Sequence, residues 1–322
     1  MELVAVDIGG THARFAIADV ERGRVTSLGD TTTLRTDTHA SLQTAWEAFA
    51  SRLGRSLPRA TSIAVACPVM GDVLKLTNNP WIVRPAQIGD RLGVDRVTLI
   101  NDFGAVAHAV VNVESEHLRH LCGPDLPLPK QGVITILGPG TGLGVAHVLR
   151  HEDRNHVIEC EGGHIDYAPL DSIEDAILAR LRQRYRRVSV ERIMSGPGLA
   201  NIYEALAAIE GRSVQAMDDN TLWAAALSGE DGLAAAALDR FCMTLGSVAG
   251  DIALSQGAKA VIIAGGLGQR LVDVLPRSGF ASRFTAKGRF ELMMAAIPVK
   301  VITHPQPGLF GAAAAFAEEH CR

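Results

Sequence analysis

Asn101 and Asp102 stand directly after the apolar run Val97-Thr98-Leu99-Ile100. Both are therefore placed at the C-terminal end of a strand, where α/β sheets bind their ligands. An aspartate there can take a proton from a hydroxyl, and the asparagine beside it can bond one. The same pair can equally cap a following helix, and the spacing leaves both uses open. Asp102-Phe103-Gly104 also spells the metal-binding triplet of protein kinases. Neither an H-R-D-x-x-x-x-N loop nor a G-x-G-x-x-G hairpin accompanies it, so that reading is set aside. Four more polar groups lie in three glycine- or proline-framed stretches: Glu161 and His164 in Glu161-Gly162-Gly163-His164, Glu191 ahead of Ser195-Gly196-Pro197-Gly198, and Asn78 in Thr77-Asn78-Asn79-Pro80-Trp81. Amide, carboxylate and imidazole together suit a ring of hydroxyls, and they select because a missing hydroxyl leaves a buried group unpaired. Singly, each also fits a cap or a salt bridge. His147, His151, His156 and His164 match no zinc-ligand spacing, and Cys160 has no partner cysteine nearby.

Two glycine turns supply a second kind of chemistry. Val6-Asp7-Ile8 runs into Gly9-Gly10-Thr11, and Arg14-Phe15-Ala16-Ile17 leaves as another extended apolar run. A P-loop or a dinucleotide fingerprint would open a helix at this point. A hairpin instead brings backbone N–H groups and a Thr hydroxyl up to an anion, with Asp7 placed to hold hydrated Mg²⁺. Gly140-Thr141-Gly142, between the runs Gly132–Leu137 and Leu143–Leu149, repeats the design. The repeat predicts an internal duplication. A third signal, Val261-Ile262-Ile263-Ala264-Gly265-Gly266, is a strand that ends in Gly-Gly before a helix.

Elements that could position these groups alternate between strand and helix, which predicts an α/β fold. Leu42, Ala45, Trp46, Phe49 and Leu53 recur at helical spacing, as do Leu199, Ile202, Tyr203, Leu206 and Ile209. A long helix is predicted from Leu233 to Leu254, and Ser172-Ile173-Glu174-Asp175 reads as a capping box. Arg180, Arg182, Arg184, Arg186 and Arg187 are assigned to a solvated helix face. The 322 residues suit two domains, expected at 1–110, completed by 302–322, and at 111–301.

Net charge of −4 argues against nucleic acid as a partner. Five scattered cysteines without a C-x-x-C pair favour reduced thiols and a cytoplasmic location. No secretory leader or membrane-length apolar stretch is visible. The runs Ala234–Ala237 and Ala312–Ala315 are short and read as sites of tight helix packing.

Asp-Ile-Gly-Gly-Thr-His-Ala-Arg at 7–14, Ala-Cys-Pro-Val-Met-Gly-Asp at 66–72, Ile-Asn-Asp-Phe at 100–103, Gly-Thr-Gly-Leu-Gly at 140–144, Glu-Gly-Gly-His at 161–164, Ser-Gly-Pro-Gly-Leu at 195–199 and Ala-Gly-Gly at 264–266 occur in one order. In these the chain resembles the bacterial glucokinases of the enterobacterial type, within the hexokinase and actin-like ATPase superfamily. The resemblance implies a two-lobed actin-like (ribonuclease H-like) fold, with nucleotide and sugar in the interlobe cleft, and a homodimer. It implies ATP and Mg²⁺ as cofactors and phosphorylation of glucose at O6. Asp102 then resembles the catalytic base. Asn101, Glu161, His164 and Glu191, with Asn78 in a turn that departs from the family pattern, resemble sugar ligands. Gly9, Gly10 and Thr11, led by Val6, Asp7 and Ile8, resemble the first phosphate loop. Gly140, Thr141 and Gly142 resemble the second, and Gly265 and Gly266 the adenosine turn. A kinase of mannose, fructose or an amino sugar is the alternative within this chemistry. A non-catalytic sugar sensor is the alternative outside it, but the zinc-binding cysteine cluster of the related repressors is missing.

Overall fold

The computed structural model describes residues 1–76, 79–152 and 154–321, so Asn78 lies outside the described residues. From the N-terminus come β1 (Glu2–Ile8), β2 (His12–Glu21), β3 (Arg24–Leu28), β4 (Thr32–Arg35), α1 (Leu42–Leu53), β5 (Ala60–Val65), the short pair β6 (Leu74–Lys75) and β7 (Ile82–Val83), α2 (Ile88–Leu92), β8 (Arg96–Asn101) and α3 (Asp102–Asn112). There follow β9 (Leu118–Cys122), β10 (Gly132–Pro139), β11 (Leu143–His151), β12 (Arg154–Cys160), α4 (Ser172–Leu181), α5 (Gly196–Ile209), α6 (Asp219–Ser228) and α7 (Gly232–Gln256). Then come β13 (Ala258–Ile263), α8 (Gly265–Arg270), α9 (Phe280–Thr285), α10 (Glu291–Ala295), β14 (Val299–Ile302) and α11 (Pro307–His320). The chain divides into two units, Met1–His117 with His304–Arg322, and Leu118–Thr303.

Each unit is built on a six-stranded sheet, and the two sheets share one plan. In the first the order is β3-β2-β1-β5-β8, with the sixth strand, β4, also pairing β2: β1 pairs antiparallel with β2, then parallel with β5, which pairs parallel with β8. In the second, β12-β11-β10-β13-β14 repeats that sequence of antiparallel and parallel neighbours, with β9 added at the edge. The internal duplication expected from the two glycine turns is thus a duplication of whole sheets. Parallel strands covered on both faces must be apolar throughout, and β5 is buried at all of its positions.

Packing explains the alanine-rich C-terminus. Leu309, Ala313, Phe316 and Ala317 of α11 cover Leu3, Ala5, Ala16 and Ala18 of the first sheet. Small residues also let α11 meet α3 backbone to backbone: a Cβ on Gly311 would stand 1.7 Å from the Ala105 carbonyl oxygen. In the second unit α7 spans Gly232–Gln256 and is capped by Asp231, whose carboxylate accepts from the Leu233 and Ala234 N–H groups.

Two local expectations need correction. The box at the start of α4 sits one residue earlier than read: Asp171 is the N-cap, accepting from Ile173 and Glu174, while Glu174 accepts from the Leu170 N–H. An aspartate reaches N2 and N3 as well as a serine does, and its charge favours the helix N-terminus. Nor is the arginine run a helix face, because α4 stops at Leu181 and Arg182–Arg187 form the turn beyond it.

Candidate functional site

In the first unit the hairpin turn Gly9-Gly10-Thr11 is tied down by its carbonyls. The Gly9 carbonyl accepts from Asn79 Nδ2 (2.9 Å), that of Gly10 from the buried Thr36 hydroxyl (3.0 Å), and that of Thr11 from the Thr36 N–H (3.0 Å). Gly9 N–H closes the turn on the His12 carbonyl. The N–H groups of Gly10 and Thr11 make no hydrogen bond among the described residues. Two consecutive unpaired N–H groups beside an exposed Thr hydroxyl form an anion-binding concavity. Val6 and Ile8 are enclosed in the core and support the turn from beneath. Asn79 braces the turn, a role that sequence reading missed although the residue lies next to Asn78.

Asp7, last but one on β1, is only 17% exposed and pairs with Arg14 at 3.2 Å. Burial pushes its carboxyl above the ordinary 3.8, and Arg14 offsets part of that effect. A Cβ on Gly308, in the first turn of α11, would stand 2.8 Å from Asp7 Oδ2, so glycine there leaves the carboxylate its room.

β8 delivers Asn101 and Asp102 to the start of α3. Asn101 is the N-cap: its Oδ1 accepts from Phe103 N–H (2.9 Å) and Gly104 N–H (3.2 Å), and its Nδ2 donates to the Cys67 carbonyl (3.2 Å). The capping use left open by the sequence is therefore realised. Asp102 occupies the first helical position, where the N-terminal dipole favours a negative charge.

The second unit repeats the anion turn. Gly140 N–H closes on the Gly142 carbonyl (2.8 Å), and the Gly140 carbonyl accepts from Gly196 N–H (2.7 Å) at the start of α5. Thr141 and Gly142 N–H groups again have no partner among the described residues. Trp223 fixes this anchor by donating its indole N–H to the Gly196 carbonyl (3.0 Å). Gly265 follows β13 with φ at +75°, and a Cβ there would meet the Pro139 carbonyl oxygen at 2.6 Å. Only glycine allows that close a turn beside the Gly140-Thr141-Gly142 hairpin.

Glu161, His164 and Glu191, distant in sequence, are brought together. Segments 165–167 and 188–190 pair through Tyr167 N–H to the Val188 carbonyl and Val190 N–H to the Ile165 carbonyl. That sets the one-turn helices Gly162–His164 and Val190–Arg192 side by side. His164 Nδ1 lies 3.6 Å from Glu161 Oε2, and its Nε2 lies 3.9 Å from Glu191 Oε1. Both separations exceed hydrogen-bond length, so the three side chains stand close without hydrogen bonding one another. Gly163 is required because a Cβ would fall 2.3 Å from the Leu143 carbonyl oxygen. Glu191 has a second contact: its Oε2 accepts from the Leu143 N–H (2.9 Å), at the exit of the Gly140-Thr141-Gly142 turn. Arg187, which the sequence did not single out on its own, donates to the His164 carbonyl (2.7 Å) and to Asp166 (2.5 Å).

The comparisons fit these paired turns and sheets. A family model described as Glucokinase matches residues 3–319. The chain is 66% identical over 320 residues to the glucokinase of Zymomonas mobilis subsp. mobilis, covering 99% of each. Among solved structures, the glucokinase from an Antarctic psychrotroph superposes with a TM-score of 0.85 at 32% identity, over 98% of both chains. The glucokinase of Balamuthia mandrillaris in complex with glucose has a TM-score of 0.78 over 98% of this chain and 93% of its own, but at 19% identity it speaks for the fold alone. A match that spans both units at this identity, on a fold whose two sheets each carry a glycine turn, places the chain in the glucokinase family.

Proposed function

We propose that the protein transfers the γ-phosphoryl group of ATP to the 6-hydroxyl of D-glucose, giving glucose 6-phosphate and ADP. The observation that carries this reading is the matched pair of turns, each with two consecutive unpaired N–H groups and a Thr hydroxyl. Each such turn suits an anion, and both belong to this reading. Phosphoryl transfer asks for alignment and charge neutralisation more than covalent help. In this reading Gly9, Gly10, Thr11, Gly140, Thr141 and Gly142 hold phosphates, and Gly265-Gly266 lies along the adenosine. Asp102 accepts the proton of the 6-hydroxyl. Asn101, through what its capping leaves available, and Glu161, His164 and Glu191 bond the ring hydroxyls, with Asn78 a further contact. We assign the protein to the cytoplasm as a homodimer at the start of glycolysis.

Mg²⁺ belongs to the same reading. No group of three metal-ligating side chains occurs among the described residues, which suits an ion that keeps its waters and phosphate oxygens and takes one carboxylate from the protein. Asp7 fits that part, because its buried carboxylate is only partly neutralised by Arg14. Bound there through water, Mg²⁺ would neutralise phosphate charge. Asp7→Asn is accordingly expected to lower kcat/KM by at least ~10-fold while raising the melting temperature at pH 7. The direction follows from the raised pKa: ionising Asp7 penalises the folded state at neutral pH. That penalty disappears below the ordinary 3.8, where folded and unfolded chains both hold the proton. Melting curves at pH 7 and pH 3.5 check it, and a lower melting temperature at pH 7 contradicts it.

Gly142→Ala separates function from stability. The added Cβ would sit 2.4 Å from Glu191 Oε2, the movable end of a side chain, so the fold is kept while the carboxylate is pushed off the Leu143 N–H. We expect KM to rise by at least ~10-fold for glucose and for ATP, at an unchanged denaturation midpoint. Steady-state kinetics with each substrate varied in turn read this out.

A coupled assay of ADP release with ATP-Mg²⁺ and glucose, mannose, fructose or N-acetylglucosamine tests the function itself. Selective turnover of glucose is expected. Equal or better turnover of another sugar moves the assignment to that hexose, and silence with all four rejects ATP-dependent sugar phosphorylation.

A further inference from the structure

Apart from Arg187, the arginine run beyond α4 has no part in the chemistry above. It borders a cavity of about 360 Å³ in the unit Leu118–Thr303, walled by the end of α4, one face of α5, the connection 212–217 and the start of α6. That volume lies within the range of small-molecule sites. The hollow exists because α5 turns Ala200, Tyr203, Glu204 and Ala207 toward it, at the spacing of one helix face. The two alanines leave open the space that longer side chains would fill. Tyr203 forms a fixed part of the wall, with its hydroxyl held on Asp231 (3.1 Å).

The charges around this space are unbalanced. Three guanidiniums, of Arg180, Arg184 and Arg212, line it against the single carboxylate of Glu204. Arg184 pairs with Glu204, and Arg212 reaches Glu210 at 3.2 Å and also feels the charge of Asp231 behind Tyr203. The Arg180 guanidinium has no hydrogen-bond or ion-pair partner among the described residues. Arg184 and Arg212 are thus answered by carboxylates, and the guanidinium left over, that of Arg180, borders open space large enough for a ligand. Guanidinium groups match phosphate oxygens bidentately, and a phosphomonoester offers the unpaired Arg180 such a partner.

We propose that the cavity is a binding site for a small phosphomonoester, with Arg180 as the principal phosphate ligand and Arg212 supporting it. The site is separate from the Gly140-Thr141-Gly142 turn and does not depend on the sugar the enzyme uses. Titration calorimetry with 3-phosphoglycerate as the probe tests it, on protein already saturated with glucose and a non-hydrolysable ATP analogue so that the phosphate turns are filled. One saturable site is expected, with Kd below about 1 mM. Binding should weaken with rising salt and weaken at least ~10-fold in Arg180→Ala, whose melting temperature and glucose turnover stay at wild-type values. Glycerate, which lacks the phosphate, should give no saturable heat. Absence of saturable binding by 3-phosphoglycerate, equal affinity in Arg180→Ala, or equal binding of glycerate overturns the proposal.

Discussion

Asp102→Asn is expected to lower kcat by at least ~10²-fold, the scale of losing a general base, with the dissociation constant for glucose within a few-fold of the wild type. The substitution is nearly isosteric at the first position of α3: the Asn101 cap is untouched, and an asparagine Oδ1 can still accept from the Phe103 N–H as Asp102 Oδ1 does (2.8 Å). Loss of turnover can then be ascribed to the proton acceptor and not to a displaced helix. Equilibrium binding of glucose, followed by tryptophan fluorescence or calorimetry, alongside coupled steady-state assays makes the separation. Near-wild-type kcat would remove Asp102 from the chemistry. A matching loss of glucose affinity and kcat would make it a sugar ligand only.

Gly311→Ala is expected to be the most damaging single methyl group in the first unit. The new Cβ would lie 1.7 Å from the Ala105 carbonyl oxygen, 2.5 Å from its carbon and 3.0 Å from the Ala109 nitrogen. All three are backbone atoms of α3, so no rotamer change relieves the overlap and the two helices must move apart. Forced overpacking of a core costs on the order of 1–3 kcal/mol, and an overlap with backbone belongs at about 3 kcal/mol. Urea denaturation reads the loss as a lower midpoint with an unchanged slope. Because Asp102 sits on the first turn of the displaced helix, kcat should fall as well, even where the protein is fully folded. Gly232→Ala, where a Cβ meets nothing within 4 Å, is the control and should leave midpoint and kcat alike.

Much of this architecture was legible in the sequence, and the reason is local. Glycine turns between apolar runs announce themselves because few other residues permit them, so both hairpins and the turn after β13 were found where they stand. Buried parallel strands such as β5 were visible as uninterrupted apolar runs. The short pair β6 and β7 carries only two residues per strand and gives no periodic signal. Its loop residue Asn79 gave no sign of bracing the Gly9-Gly10-Thr11 turn, since that contact spans 70 positions. Arg187 was absorbed into a basic run for the same reason: its partners, Asp166 and the His164 carbonyl, are brought to it only by the pairing of segments 165–167 and 188–190. Composition shows which groups can bond, and the fold decides which of them meet. Asn101 makes the point within one residue, since cap and ligand ask for the same amide.

The double contact of Glu191 limits how this enzyme could acquire a new substrate. Its carboxylate faces His164 with one oxygen and holds the Leu143 N–H with the other. In the proposed reading, a substitution at 191 that reshapes the pocket for an epimeric hexose would also loosen the Gly140-Thr141-Gly142 turn, and a gain for the new sugar would arrive with a weaker hold on the donor. Side chains at 161 and 164 carry no such second duty among the described residues. Evolutionary or laboratory routes toward another hexose should begin at those two positions and leave 191 until last, once Leu143 has acquired another acceptor.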